Sequence, residues 1–142
     1  MELRDRALIM LMTGSGLRHK EAQLLDTDDI DLTRQTVTIR AATAKFSKAR
    51  VAVLDDDTAD ALDRWLRVRP AQSDGACTCS RGEKAALTCP QALFTTMPRR
   101  GNRGGTRISY DTLALIVRER GKKAGIDDLH PHVLRHTWAS AV

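Results

Sequence analysis

Two imidazoles and a guanidinium fall within five residues in the segment His132-Val133-Leu134-Arg135-His136. Pro131 just before it suits the first turn of a helix, where its missing N–H is not needed. At about 3.6 residues per turn, His132, Arg135 and His136 share one arc. Leu134, Trp138 and Ala141 share the opposite one. A guanidinium stays charged and grips phosphate oxygens with two prongs. An imidazole exchanges a proton near neutral pH. Such residues also suit a plain solvent face, so chemistry here requires partners from elsewhere in the chain.

Three further residues could supply them. Arg18 stands where the turn Thr13-Gly14-Ser15-Gly16 gives way to a helix, and free backbone N–H groups at such an end favour anions. Glu21, one turn on, could hold Arg18 in place. Lys45 lies on a loop between two strands and can reach away from the scaffold. If Arg18, Lys45, His132 and Arg135 converge, they form a pocket for a phosphodiester. Preorganised charge of that kind stabilises the extra negative charge of a pentavalent transition state. A histidine could take a proton from an attacking hydroxyl, and a lysine could give one to the departing oxygen. No acidic cluster suggests a two-metal site and no phosphate-cradling glycine motif suggests ATP, so no cofactor is expected.

The elements that must position these groups read as follows. Leu3, Ala7, Leu8, Leu11 and Met12 recur at helical spacing. A second helix runs from about Leu17 to Leu25. Ile30 and Leu32 alternate with aspartates, and Thr33-Arg34-Gln35 makes a turn. Thr36–Arg40 and Arg50–Leu54 read as strands joined by the Lys45 loop. Asp55-Asp56-Asp57 opens a helix carrying Thr58, Leu62, Trp65, Leu66 and Arg69, with Pro70 beyond its end. Ala92-Leu93-Phe94 reads as a short strand. Ser109 caps a helix with Leu113, Ile116, Val117 and Ala124 on its buried side, closed by Gly125. Both tryptophans are assigned to the core.

The chain has 142 residues and a net charge of +5. One domain and a polyanionic partner are the corresponding expectations. The basic stretch with Arg99, Arg100, Arg103 and Arg107 suits phosphate contact, as does Lys48. No apolar run approaches the ~18 residues of a membrane span. The charged N-terminus is unlike a secretory signal, and three cysteines do not close a disulfide framework. A cytoplasmic protein is expected. Cys77, Cys79 and Cys89 lack a recognised zinc spacing. A metal module built from them, with His132 and His136, is a competing reading.

Three segments, Thr13–Glu21, Lys45–Arg50 and His130–His136, resemble in order and separation the motifs of the tyrosine recombinase (phage integrase, Xer-like) family. The resemblance implies an α+β fold, a mainly helical domain with a small three-stranded antiparallel sheet, spanning 1–142 as a partial catalytic domain. It implies site-specific DNA recombination or integration by strand breakage and rejoining through a 3′-phosphotyrosine, without metal or ATP. Arg18 and Arg135 resemble the two arginines that hold the scissile phosphate. His132 resembles the histidine that assists proton movement, and Lys45 the lysine that protonates the leaving 5′-oxygen. Phe46 follows Lys45 where the family usually has glycine, which leaves Lys48 as the alternative. Glu21 looks like the supporting acidic residue, and His136 is expected to be structural. The resemblance also implies double-stranded DNA as partner and a homotetramer on DNA for a full-length parent. The family's nucleophilic tyrosine lies downstream of the second arginine, and its DNA-clasping domain upstream of the segment seen here. Tyr110 precedes the His132 segment and is not assigned that role. The expectation is therefore a truncated catalytic domain that binds DNA without cleaving it; a non-catalytic DNA-binding remnant of an integrase is the alternative.

Overall fold

The alternation of apolar residues at helical spacing produces the central element, α1 (Leu3–Ser15), in a computed structural model that describes residues 2–41, 44, 48–70, 91–101 and 104–141. Ala7, Leu8, Leu11 and Met12 are fully buried, whereas Leu3 sits at the surface. The helix runs through Gly14, past the expected turn, because Gly16 is the residue that adopts the left-handed conformation, at φ 62°. Helices commonly end this way, since glycine has no Cβ to clash. Helix α2 (His19–Gln23) is shorter than its apolar pattern suggests. Leu17 and Leu25 flank it as buried core residues instead.

A single 3-10 turn (Thr27–Asp29) leads into a sheet of β1 (Ile30–Asp31), β2 (Thr36–Ile39) and β3 (Arg50–Val53). Its order is β1-β2-β3, antiparallel throughout, with Val37 opposite Ala52 and Thr38 opposite Val51. Strand period two puts Val37 and Ile39 in the core and Thr38 in solvent. On β3 the same alternation leaves Val51 and Val53 exposed and turns Arg50 and Ala52 towards the protein.

Asp55 caps α3 (Asp56–Val68) by accepting the Thr58 N–H at 2.7 Å. Trp65 is fully buried, and its Nε1 donates to the Leu93 carbonyl at 2.8 Å. Ala92, Leu93 and Phe94 are buried, but they form no strand. Their neighbourhood is tied by isolated bridges between Asp26 and Ala92 and between Thr95 and Arg107. Ser109 caps α4 (Tyr110–Lys123) through the Thr112 N–H at 3.0 Å. Leu113, Ile116 and Val117 are buried as expected. Ala124 is exposed, because the helix has already closed there ahead of Gly125 at φ 79°.

Pro131 opens α5 (Pro131–Ala141), which packs on α1. Only the first half of its apolar arc is covered. Leu134 is buried, Ala141 is exposed and Trp138 is 37% exposed. The Trp138 ring lies across Gly16 at the end of α1, so a Cβ on Gly16 would fall 2.6 Å from Cδ2 of the indole. This contact adds to the packing of α1 on α5, the helix that carries Arg135, at the turn that leads to Arg18. Cys77, Cys79 and Cys89 lie outside the described residues, as do Lys45 and Arg103. Gly16→Ala combines a left-handed alanine with a clash in a packed contact. It is expected to lower unfolding stability by about 2–4 kcal/mol, read from thermal or denaturant melts.

Candidate active site

The turn after α1 delivers Arg18 to the N-cap of α2 in an extended conformation. Glu21, three residues on, folds back so that its Oε2 accepts the Arg18 N–H at 2.8 Å. This satisfies one of the donors that a helix start leaves open. The Glu21 side chain is 1% exposed. A buried carboxylate needs a counter-charge, and it comes from β3. Arg50 donates from Nη1 to Oε1 at 2.9 Å and from Nη2 to Oε2 at 2.7 Å. Arg18 Nη1 stands 3.6 Å from Oε1, near enough for ionic attraction but too far for a hydrogen bond.

Arg135 comes from α5. Its Nη1 is sealed from solvent and has no hydrogen-bond partner among the described residues. Burial, then the charge of Arg18, push its pKa down; Arg50 adds to this and Glu21 opposes it. A guanidinium keeps its proton regardless. The shift therefore reflects first the burial of Arg135 and only then the like charge of Arg18 beside it. Arg18, His132 and Arg135 line one cleft of about 600 Å³. Lys45, the fourth residue expected to join them, lies outside the described residues. An anion in the cleft would relieve both the mutual repulsion and the orphaned N–H.

His19, Lys20, Tyr110, His130 and Pro131 form the rest of the wall. The His19 ring stacks on Tyr110 with centroids 3.5 Å apart, and its Nε2 lies 2.7 Å from the Tyr110 carbonyl oxygen. Burial lowers the His19 pKa, with that hydrogen bond and Asp111 working against it. His132 lies parallel to His130 at 6.4 Å and edge-on to His136 at 4.5 Å. His136 is exposed and touches His132 rather than the core.

The remaining basic residues divide. Lys48, Arg99 and Arg100 are exposed. Arg107 was expected to face DNA, and this is corrected by the structure. Its side chain is 2% exposed, pairs with Asp26, and donates to the carbonyls of Gln23 at 3.1 Å and Leu25 at 2.7 Å. It braces the segment after α2 and offers nothing to a phosphate. The sequence grouped it with a basic stretch because its neighbours are glycines and arginines; the bridge from Thr95 to Arg107 had no local signature. Arg50 was missed for the opposite reason. It looked like the first residue of a strand, and only the buried Glu21 across the fold identifies its role. Tyr110 reaches the cleft from the start of α4, again without a motif to signal it.

Residues 1–142 match the phage integrase family, and the chain belongs to that family of tyrosine recombinases. It is 34% identical over 142 residues to the tyrosine recombinase XerC of Actinobacillus pleuropneumoniae serotype 7, covering 98% of this chain and 38% of that protein. It is 34% identical over 139 residues to XerD of Bifidobacterium longum, covering 97% and 40%. The chain thus spans about two fifths of the length of these relatives. The crystal structure of the XerA recombinase superposes with a TM-score of 0.75 at 27% identity, over 99% of this chain and 42% of that one. XerH bound to its palindromic difH substrate shares the fold, with a TM-score of 0.69 at 23% identity over 98% of this chain and 34% of that one.

Burial raises the Glu21 pKa, but the hydrogen bonds and charges of Arg50 and Arg18 outweigh it, so the net shift is downward from the ordinary value of 4.5. A carboxylate with a lowered folded-state pKa adds stability above its unfolded value and loses it as pH falls through the folded one. Acid unfolding should therefore steepen below about pH 4.5. Glu21→Gln is expected to flatten that part of the stability-versus-pH curve, measured by melts across an acid series.

Proposed function

We propose that this chain is the phosphate-gripping part of a tyrosine recombinase catalytic domain and that its ligand is the backbone of double-stranded DNA. The observation that carries the reading is the cleft shared by Arg18 and Arg135, with one arginine N–H buried and unpartnered at its edge. Two guanidiniums from separate elements suit the non-bridging oxygens of one phosphodiester. Their charge complements the trigonal-bipyramidal phosphorus better than the tetrahedral one, which favours the transition state. His132, in the same wall, is placed to hold or move a proton at the attacking oxygen. Lys45 is the residue we assign to the leaving 5′-oxygen, and Lys48, Arg99, Arg100 and Arg103 to flanking phosphates. Glu21 supports the site from beneath.

In the whole recombinase this domain would take part in site-specific recombination through a 3′-phosphotyrosine, as a homotetramer on DNA in the cytoplasm. The 142 residues by themselves are proposed to bind duplex DNA without cutting it. Tyr110 is the one tyrosine in the sequence. It is half exposed and stacked on His19, and its hydroxyl has no hydrogen-bonded base among the described residues. A phenol without an activating partner is a weak nucleophile at neutral pH.

Duplex affinity is expected to fall steeply across a salt series and to vary little with sequence, because phosphate contacts dominate. Arg135→Ala should weaken binding about tenfold or more and reduce the log–log salt slope by about one. Binding that ignores salt would refute the proposal. On a nicked suicide substrate, no covalent DNA–protein band should form with this chain. A band that disappears in Tyr110→Phe would overturn the non-cleaving part of the reading.

A further inference from the structure

Glu21 is a buried anion with three claims on it. Both of its oxygens take the prongs of Arg50, and Oε2 also accepts the Arg18 N–H. A carboxylate offers about four lone-pair sites, so one remains. The Arg18 guanidinium is the nearest cation not yet hydrogen-bonded to it, with Nη1 3.6 Å from Oε1. Closing that gap by less than an ångström would make a second strong ion pair. Arg18 would then be turned into the protein instead of towards the cleft that it lines with Arg135. Arg50 is not among the residues lining that cleft.

We infer that Arg50 is a positioning residue for phosphate binding: its two-pronged pair with Glu21 satisfies the buried carboxylate and so leaves the Arg18 guanidinium free to face the ligand. The inference rests on the reading of the cleft as a phosphate seat. Without Arg50, a buried charge would lack its main partner, and the cost of that drives any nearby cation onto it. Arg18 is that cation. Removing the negative charge as well abolishes the attraction. Glutamine at position 21 can still accept the Arg18 backbone N–H, because Gln serves in a capping box as Glu does.

The test compares the intact 142-residue chain with Arg50→Gln, Glu21→Gln and the double variant. Two readouts are taken: affinity for duplex DNA across a salt series, and the NMR signals of the Arg18 guanidinium, assigned with Arg18→Lys. Arg50→Gln is expected to weaken DNA binding about tenfold and to lower the salt slope by about one, through the loss of Arg18 from the cleft. The double variant should recover most of both. The Arg18 guanidinium protons should become protected from exchange in Arg50→Gln and revert in the double variant. A double variant as weak as Arg50→Gln would mean that Arg50 contacts DNA itself or only holds the fold, and would overturn the inference. Arg18 signals unchanged in Arg50→Gln would overturn it independently of DNA. Loss of the broader functional reading would instead show as a wild-type chain without salt-sensitive binding, and the NMR comparison would still decide the role of Arg50. If Arg50→Gln does not fold by thermal melt, Arg50→Lys replaces it. A single ammonium fills only part of the carboxylate, so partial Arg18 protection and an intermediate affinity are expected, and wild-type values for both would count against the inference.

Discussion

A carboxylate buried at the start of a five-residue helix organises the site. Glu21 cannot be desolvated alone, so it draws in an arginine from the sheet and the backbone of the preceding turn. That arrangement joins α2 to β3. The strand that Arg50 begins follows closely on Lys48. The same anion therefore ties the arginine at the glycine turn to the start of that strand.

Other buried ion pairs do comparable work away from the cleft. Arg107 holds Asp26 and the carbonyls after α2. Arg120 reaches back from α4 to Asp5 on α1, 2.5 Å away. Arg40 pairs with Asp26 at 3.2 Å and with Asp29 at 3.1 Å. These three arginines and three aspartates cancel, so the net charge of +5 rests with the rest of the chain. Pairing of this sort is weak evidence for stability, because desolvation offsets much of the attraction. Its clearer effect is to fix which arginines face inwards and which are left for a ligand.

The cleft contrasts with that scaffold. Arg135 carries an N–H that the protein does not satisfy, next to Arg18, in a wall that also holds His132. Repulsion between like charges is tolerated there because the packing around Gly16 and Trp138 holds α1 and α5 in fixed relation. Preorganisation of this kind means that the cations are already assembled before any anion arrives.

Local patterns in the sequence were sufficient for the helices, the hairpin of β2 and β3, the caps at Asp55 and Ser109, and the shared arc of His132 and Arg135. These depend on spacing along the chain, and spacing is what a sequence displays. The three motifs also carried the family resemblance, because their order survives without knowledge of the fold. Only the tertiary structure decided that Arg107 is a buried brace, that Arg50 serves Glu21, that Tyr110 and His19 stack in the cleft, and that half of the α5 apolar arc stays exposed. An arginine has the same side chain whether it meets a carboxylate or water, and its partner can stand tens of residues away. The burial of that partner, not the identity of the arginine, determines which charge is left for a ligand.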